Sequence, residues 1–124
     1  MTRTRLVLLG VLIGGAFMLS PRTAVAQASD KGKSLFMKRS CASCHAFGRK
    51  MAGPDLRGVT QRRSTDWLKQ WLKSPDTMVS SDSAAKALYN QYNKLKMPNL
   101  KLSDEEVDAL IAYLRQEGGG GMKK

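Results

Sequence analysis

The chain has 124 residues, with 21 Lys and Arg against 10 Asp and Glu, a formal net charge of +11 at pH 7. That length allows one compact domain and argues against two, and 42% apolar with 25% charged residues excludes a disordered tail, a collagen-like repeat and a multi-span membrane protein. Two cysteines are too few for a disulfide-built scaffold, and one histidine too few for a His-rich metal enzyme or a Ser-His-Asp hydrolase.

Arg3 and Arg5 precede an apolar run from Leu6 to Leu19, broken by Ser20-Pro21-Arg22. Ala24-Val25-Ala26 then offers an A-x-A cleavage site before Gln27, with Ala26-Gln27-Ala28 as a second possibility. This layout predicts a secretory signal peptide over residues 1–26 and a periplasmic or otherwise exported protein. The run of 14 residues is shorter than the ~20 that cross a bilayer, so no membrane span is expected after cleavage. Cleavage leaves 98 residues and a charge of +8, because Arg3, Arg5 and Arg22 are lost. A chain that short buries only about 60–65% of its unfolded surface, so an added staple is expected.

Four helices and no alternating strand follow, which predicts an all-α domain over residues 27–117. The first helix spans about Asp30 to Ser40, with Gly32 four residues before Phe36, Leu35 apolar and Met37 expected to pack. Cys41 to Arg63 reads as loop, holding Gly48, Gly53-Pro54 and Gly58. Ser64 or Thr65 caps a second helix with Trp67, Leu68, Trp71 and Leu72 on one stripe, and Pro75 stops it. After a polar stretch, Ser83 to about Asn93 forms a third, with Ala84, Ala85, Leu88, Tyr89 and Tyr92 turned wholly or partly inward. Lys94 to Leu102 links it to the last helix around Met97-Pro98. There Ser103-Asp104-Glu105-Glu106 is a capping box, and Val107, Leu110, Ile111 and Leu114 form the apolar stripe. Residues 118–124 read as a flexible Gly-rich tail.

Both cysteines and the only histidine fall in Cys41-Ala42-Ser43-Cys44-His45, the C-x-x-C-H signature of c-type haem attachment. Two thiols three positions apart can each add to a haem vinyl group, and the adjacent imidazole can then serve as proximal iron ligand. Three rival readings compete. A structural zinc site wants four ligands, and no other Cys or His exists. A thioredoxin-like pair expects a parallel sheet. A plain disulfide suits an exported protein but leaves His45 unexplained.

The chain resembles a small class I (monohaem) c-type cytochrome over about residues 29–116. The resemblance is carried by Gly32-Lys-Ser-Leu-Phe36, by Cys41 to His45, by Gly53-Pro-Asp-Leu-Arg-Gly58, by Met97-Pro-Asn-Leu100 and by the Ser103 helix. It implies an all-α, cytochrome c-like fold of about four helices around one covalently bound haem c, the first and last helices crossing near Gly32, Phe36 and Tyr113. It also implies that the acceptor for His45 is the carbonyl of Pro54, that Gly53 lets the backbone approach the haem, and that Arg62 with Trp67 or Trp71 bonds the propionates. The sixth ligand is expected at Met97, which Pro98 biases toward extended backbone and which stands where the resemblance places the ligand; Met78 is the reserve. Phe36, Leu56, Leu68, Leu110 and Leu114 are expected haem-packing residues.

His–Met ligation fills the iron and predicts a one-electron carrier in an extracytoplasmic chain, not an enzyme. The alternatives are a haem c subunit of a larger oxidoreductase complex, or a haem enzyme or sensor with an open sixth position. Lys38, Arg39, Arg49, Lys50, Lys94 and Lys96 flank the haem-binding motif and Met97, which predicts redox partner proteins with acidic docking surfaces. Export removes the opportunity for nucleic-acid binding. A monomer, or a subunit of a redox complex, is expected.

Overall fold

The computed structural model describes residues 21–119. The charged start and apolar run of the expected signal peptide, and the tail beyond residue 119, lie outside the described residues. Six α-helices occur in order: α1 Pro21–Lys38, α2 Val59–Arg62, α3 Thr65–Lys73, α4 Pro75–Ser81, α5 Ser83–Gln91 and α6 Asp104–Gly118, with one 3-10 turn at Cys41–Ser43. Among the described residues there is no strand, so the all-α expectation holds while the count rises from four helices to six.

Both additions have a local cause. Val59–Arg62 is a single turn inside a stretch expected to be loop, started by Gly58 in the left-handed region at φ 69°. Pro75 does end α3, but it also begins α4: Ser74 closes one helix and opens the next. Proline is suited to a first helical position, where its φ is already helical and no N–H is missed. The polar stretch that follows is therefore helical, and it buries Met78 to 5% exposure.

The last helix organises the rest. Ser103 Oγ accepts from Glu106 N, and Glu106 Oε2 accepts from Ser103 N at 2.9 Å, the complete capping box, worth about 1 kcal/mol. The acids of its first two turns also pair outward: Arg39 with Glu106 at 2.8 Å, Lys69 with Asp108 at 2.7 Å, and Lys73 with Asp104. These exposed pairs orient α1 and α3 on α6 more than they stabilise them.

α1 packs on α6 more extensively than any other two helices pack. A Cβ at Gly32 would lie 2.0 Å from the main-chain oxygen of Ala109 and 2.7 Å from Tyr113 Cβ, so only glycine permits this crossing. Phe36, Phe47 and Tyr113 close around it with ring centroids 5.4–5.8 Å apart. Val107, Leu110, Ile111 and Leu114 are all buried, joined by Leu68, Leu72 and Leu102.

Two boundaries and one burial differ from expectation. α1 starts at Pro21, about nine residues early, and runs through the expected cleavage site. Residues 21–27 are exposed and the first buried residue is Ser29, so that extension adds helix without adding core. Met37, expected to pack, is 62% exposed, because it follows Phe36 by 100° around the helix. Gly118, expected to open the tail, is the buried last residue of α6, and its carbonyl accepts from Gly58 N at 2.5 Å.

Candidate functional site

The chemistry starts where α1 ends. Ser40 turns the chain in the left-handed region at φ 59°, and a 3-10 turn over Cys41–Ser43 follows. Main-chain bonds from Cys44 N and His45 N to Cys41 O, at 3.2 and 3.0 Å, wind the pentapeptide tightly. Cys41, Cys44 and His45 thereby line one cleft of about 910 Å³.

The next segment folds back over the imidazole. Gly53 N donates to Cys44 O at 2.8 Å, and Leu56 N donates to Ala46 O at 3.0 Å. Asp55 Oδ1 accepts from Gly48 N and Arg57 N at 2.7 and 2.8 Å, which hold its carboxyl below the ordinary carboxylate range. Pro54 O then lies 2.9 Å from His45 Nδ1. A carbonyl only accepts, so Nδ1 carries the hydrogen and Nε2 is left as the basic, metal-competent nitrogen. Burial pushes the imidazolium pKa of His45 down, and the Pro54 carbonyl offsets part of that; the ring is held neutral, the form that ligates a metal. Burial likewise pushes the Cys41 thiol up, against a main-chain hydrogen bond and the charge of Arg39.

Gly53 has a more specific cause than close backbone approach to a cofactor. A Cβ there would sit 2.5 Å from His45 Cε1, 2.9 Å from Nδ1 and 3.0 Å from Nε2. It is the imidazole itself that glycine admits.

Met97 lines the same cleft, and so do Trp67, Trp71 and Arg62. Met78 is not among the lining residues; it is part of the buried core. Arg62 donates to the main-chain carbonyls of Arg57 and, at 2.9 Å, of Asp55. Trp67 Nε1 donates to Asp82 Oδ1 at 3.1 Å, and Trp71 Nε1 donates to Met97 Sδ at 3.0 Å. Sequence reasoning missed both indole partners, since each lies 15 or more residues away with no spacing to announce it. Phe36, Leu56, Leu68, Leu110 and Leu114 supply apolar lining, with Leu72 added.

The cleft fits a haem: a large, mainly apolar space with two thiols and one neutral imidazole at its edge, and a thioether among its lining residues. Among the described residues no group of three or more His, Cys, Asp or Glu is placed to hold a metal ion, which disfavours the zinc reading.

The basic residues divide. Arg39 pairs with Glu106, and Lys96 lies 3.4 Å from Asp76. Lys50 Nζ sits 4.7 Å from the centre of the Tyr92 ring, and a shallow hollow is shared by Lys50, Met51, Tyr92 and Lys94. The loop after the C-x-x-C-H motif therefore meets the loop before Met97. No helix among the described residues is long and apolar enough to cross a membrane.

Comparison with known proteins points the same way. The cytochrome c family model matches residues 29–117. Cytochrome c2 of Blastochloris viridis is 27% identical over 125 residues, covering 91% of this chain and 98% of that protein. Cytochrome c2 of Rhodoplanes tepidamans is 33% identical over 69% of this chain and 91% of its own. Among solved structures, cytochrome c from Rhodothermus marinus superposes with a TM-score of 0.71 at 28% identity, covering 94% and 90% of the two chains. An engineered form of that protein bound to a carbene intermediate superposes at 0.66, with 28% identity and the same coverage.

Proposed function

The chain belongs to the cytochrome c family, with one covalently bound haem c and the work of an electron carrier, and from that premise we propose that Cys41 and Cys44 form its two thioether links while His45 and Met97 hold the iron. The observation that carries this reading is the single cleft lined by Cys41, Cys44, His45 and Met97. When bound, haem c supplies one iron that takes an electron from a donor protein and passes it to an acceptor. The chain's part is to hold that iron unchanged between the two states. His45 is fixed by Pro54 O on one side and by the bare backbone of Gly53 on another, so its ring has one orientation to offer. The apolar lining keeps water out, which limits reorganisation and favours the less charged, reduced state.

Arg62 is the proposed propionate donor. A guanidinium has five N–H groups, and those spent on Arg57 O and Asp55 O fix its plane while leaving others for a carboxylate. Trp67 would have to give up Asp82, and Trp71 would have to give up Met97. The proposed setting is an extracytoplasmic electron-transfer chain, reached through the leader over residues 1–26, with acidic partner proteins.

Visible spectra of the purified, oxidised and reduced protein test the reading. The wild type should show a c-type spectrum with the sulfur–iron band when oxidised. Met97→Ala should keep the covalent haem, lose that band, lower the reduction potential and let carbon monoxide bind the reduced iron. A second reading, a haem enzyme or sensor with an open position, draws on the carbene held by the engineered relative. Ready binding of carbon monoxide by the wild type would favour it.

A further inference from the structure

We propose that Tyr92 is a gate between the cleft and the hollow outside it, held shut by Lys50, and that small neutral ligands for iron enter there. This rests on the reading of Met97 as an iron ligand, the sulfur that an entering group must displace. Ala52, Tyr92 and Leu95 line both the cleft of about 910 Å³ and the outer hollow of about 440 Å³. These three residues are therefore the wall between the two spaces. Leu95 stands just before Met97 in the chain, so the wall and the proposed sulfur ligand belong to one short segment.

Tyr92 has a fixed backbone and a ring free to turn. Its N–H donates to Leu88 O, and its carbonyl accepts from Leu95 N, both at 3.0 Å. Asn93 and Lys94 then turn the chain at φ 55° and 58°. Lys50 Nζ sits 4.7 Å from the centre of the ring, and this lysine is presented by anchored backbone. On one side of it Gly48 N donates to Asp55 Oδ1 at 2.7 Å, and on the other Gly53 N donates to Cys44 O at 2.8 Å. No carboxylate lines the hollow, and Lys50 takes part in none of the ion pairs among the described residues. The ring face is what the cation has for a partner. Lys94 lines the same hollow and can only repel it.

The size of the effect follows from the contact. An ammonium over a tyrosine ring at the surface holds one rotamer by a bias of about two- to fivefold at room temperature. Such side chains change rotamer in picoseconds to nanoseconds, faster than a dilute small molecule arrives, so entry follows the open fraction. Loss of the cation therefore raises the rate of entry by that same factor. Entry needs no redox step: the lone pair of the incoming atom replaces that of the sulfur at the iron, and no electron is gained or lost. A carrier that offers its iron to no substrate is served by such a gate, because what stays in the hollow cannot displace Met97.

The test is the rate at which neutral imidazole binds the oxidised, haem-loaded protein, followed by stopped-flow absorbance. Lys50→Gln should bind it about two- to fivefold faster, and Tyr92→Leu at least as fast as that. Lys50→Arg and Tyr92→Phe keep the cation and the ring, and should stay near the wild type. Lys94→Gln removes the same charge from the same hollow without touching the ring, and should change the rate less. Lys50 is exposed, so its replacement leaves the core intact. A wild-type rate in Lys50→Gln, or an equal rise in Lys50→Gln and Lys94→Gln, would overturn the gate. Repeating Lys50→Gln in the Met97→Ala protein separates entry from release of the sulfur. The same factor there supports the gate; its disappearance would assign the contact to restraint of the Met97 segment and overturn the gate. A sulfur–iron band that survives Met97→Ala overturns the ligand reading alone, and the imidazole rates still decide the gate.

Discussion

Two segments bring chemistry to the cleft, and they are ordered in different ways. Residues 40–56 hold themselves: main-chain bonds link Ser43 to Ser40, His45 to Cys41, Gly53 to Cys44 and Leu56 to Ala46, and Asp55 gathers two further N–H groups. Residues 93–102 lack that web. Lys94 N and Leu95 N reach back to Tyr89 O and Tyr92 O, and Lys101 N bonds Asn99 Oδ1 at 3.0 Å. Asn93, Lys94 and Lys101 all carry positive φ, at 55°, 58° and 52°, a conformation costly for lysine. What restrains this segment is side chains: Met97 against Trp71, and Leu102 buried to 6% exposure. A histidine is thus presented by local backbone and a methionine by tertiary packing, so damage to each should look different.

The largest effect should come from removing what both segments enclose. Cys41→Ala with Cys44→Ala should abolish covalent haem. It should also leave the chain largely unfolded, because so short a domain loses the apolar centre of its fold. Far-UV circular dichroism of the haem-free double variant checks this, and native helix content would refute it.

Next come the two methionines, where stability and spectrum should part company. Met78→Ala opens a hole in α4 at a site only 5% exposed, and should cost about 2–5 kcal/mol in denaturant unfolding while the sulfur–iron band stays. A band lost in Met78→Ala and kept in Met97→Ala would reverse the assignment. Gly53→Ala probes the self-supporting segment in the same way. Its Cβ would meet the imidazole at 2.5 Å, so His45 must shift, at about 1–3 kcal/mol and with an altered spectrum. A silent Gly53→Ala would mean that the 53–54 backbone yields more easily than its hydrogen bonds suggest.

The fold was legible where a few consecutive residues carry a recognised signal. The capping box at Ser103 and Glu106 and the Ser64 cap, whose Oγ accepts from Trp67 N at 3.2 Å, are written in four consecutive residues. The α1–α6 crossing at Gly32 was read from resemblance, and the clash distances at Gly32 give its cause. α4 was missed because seven residues with two buried side chains, Pro75 and Met78, show no period. Met37 was misplaced because it falls off the narrow face of α1, Ser29, Gly32 and Phe36, that is buried. At the site, C-x-x-C-H identified the haem chemistry outright. The reason for Gly53 and the partner of Trp71 needed the third dimension, since one depends on how a loop folds over a ring and the other on two segments meeting.

The smallest expected effect concerns the surface where these segments meet. Six basic residues flank the two loops in sequence, but the structure makes them unequal. Arg39 and Lys96 have carboxylate neighbours in Glu106 and Asp76, so their outward field is partly cancelled. Lys50 and Lys94 share one hollow beside the Met97 loop, where two like charges reinforce each other. An acidic partner approaching there is steered by them, and the field reaches about 10 Å at 0.1 M salt but only about 3 Å at 1 M. Lys50→Gln with Lys94→Gln should therefore slow bimolecular electron transfer to an acidic redox protein several-fold at low ionic strength. Arg39→Gln with Lys96→Gln should slow it less, and all three proteins should converge as salt rises. Stopped-flow rates across an ionic-strength series measure this. Equal slopes for the two double variants would show that the basic surface acts through its total charge, and that the meeting of the two loops gives the partner no preferred point of arrival.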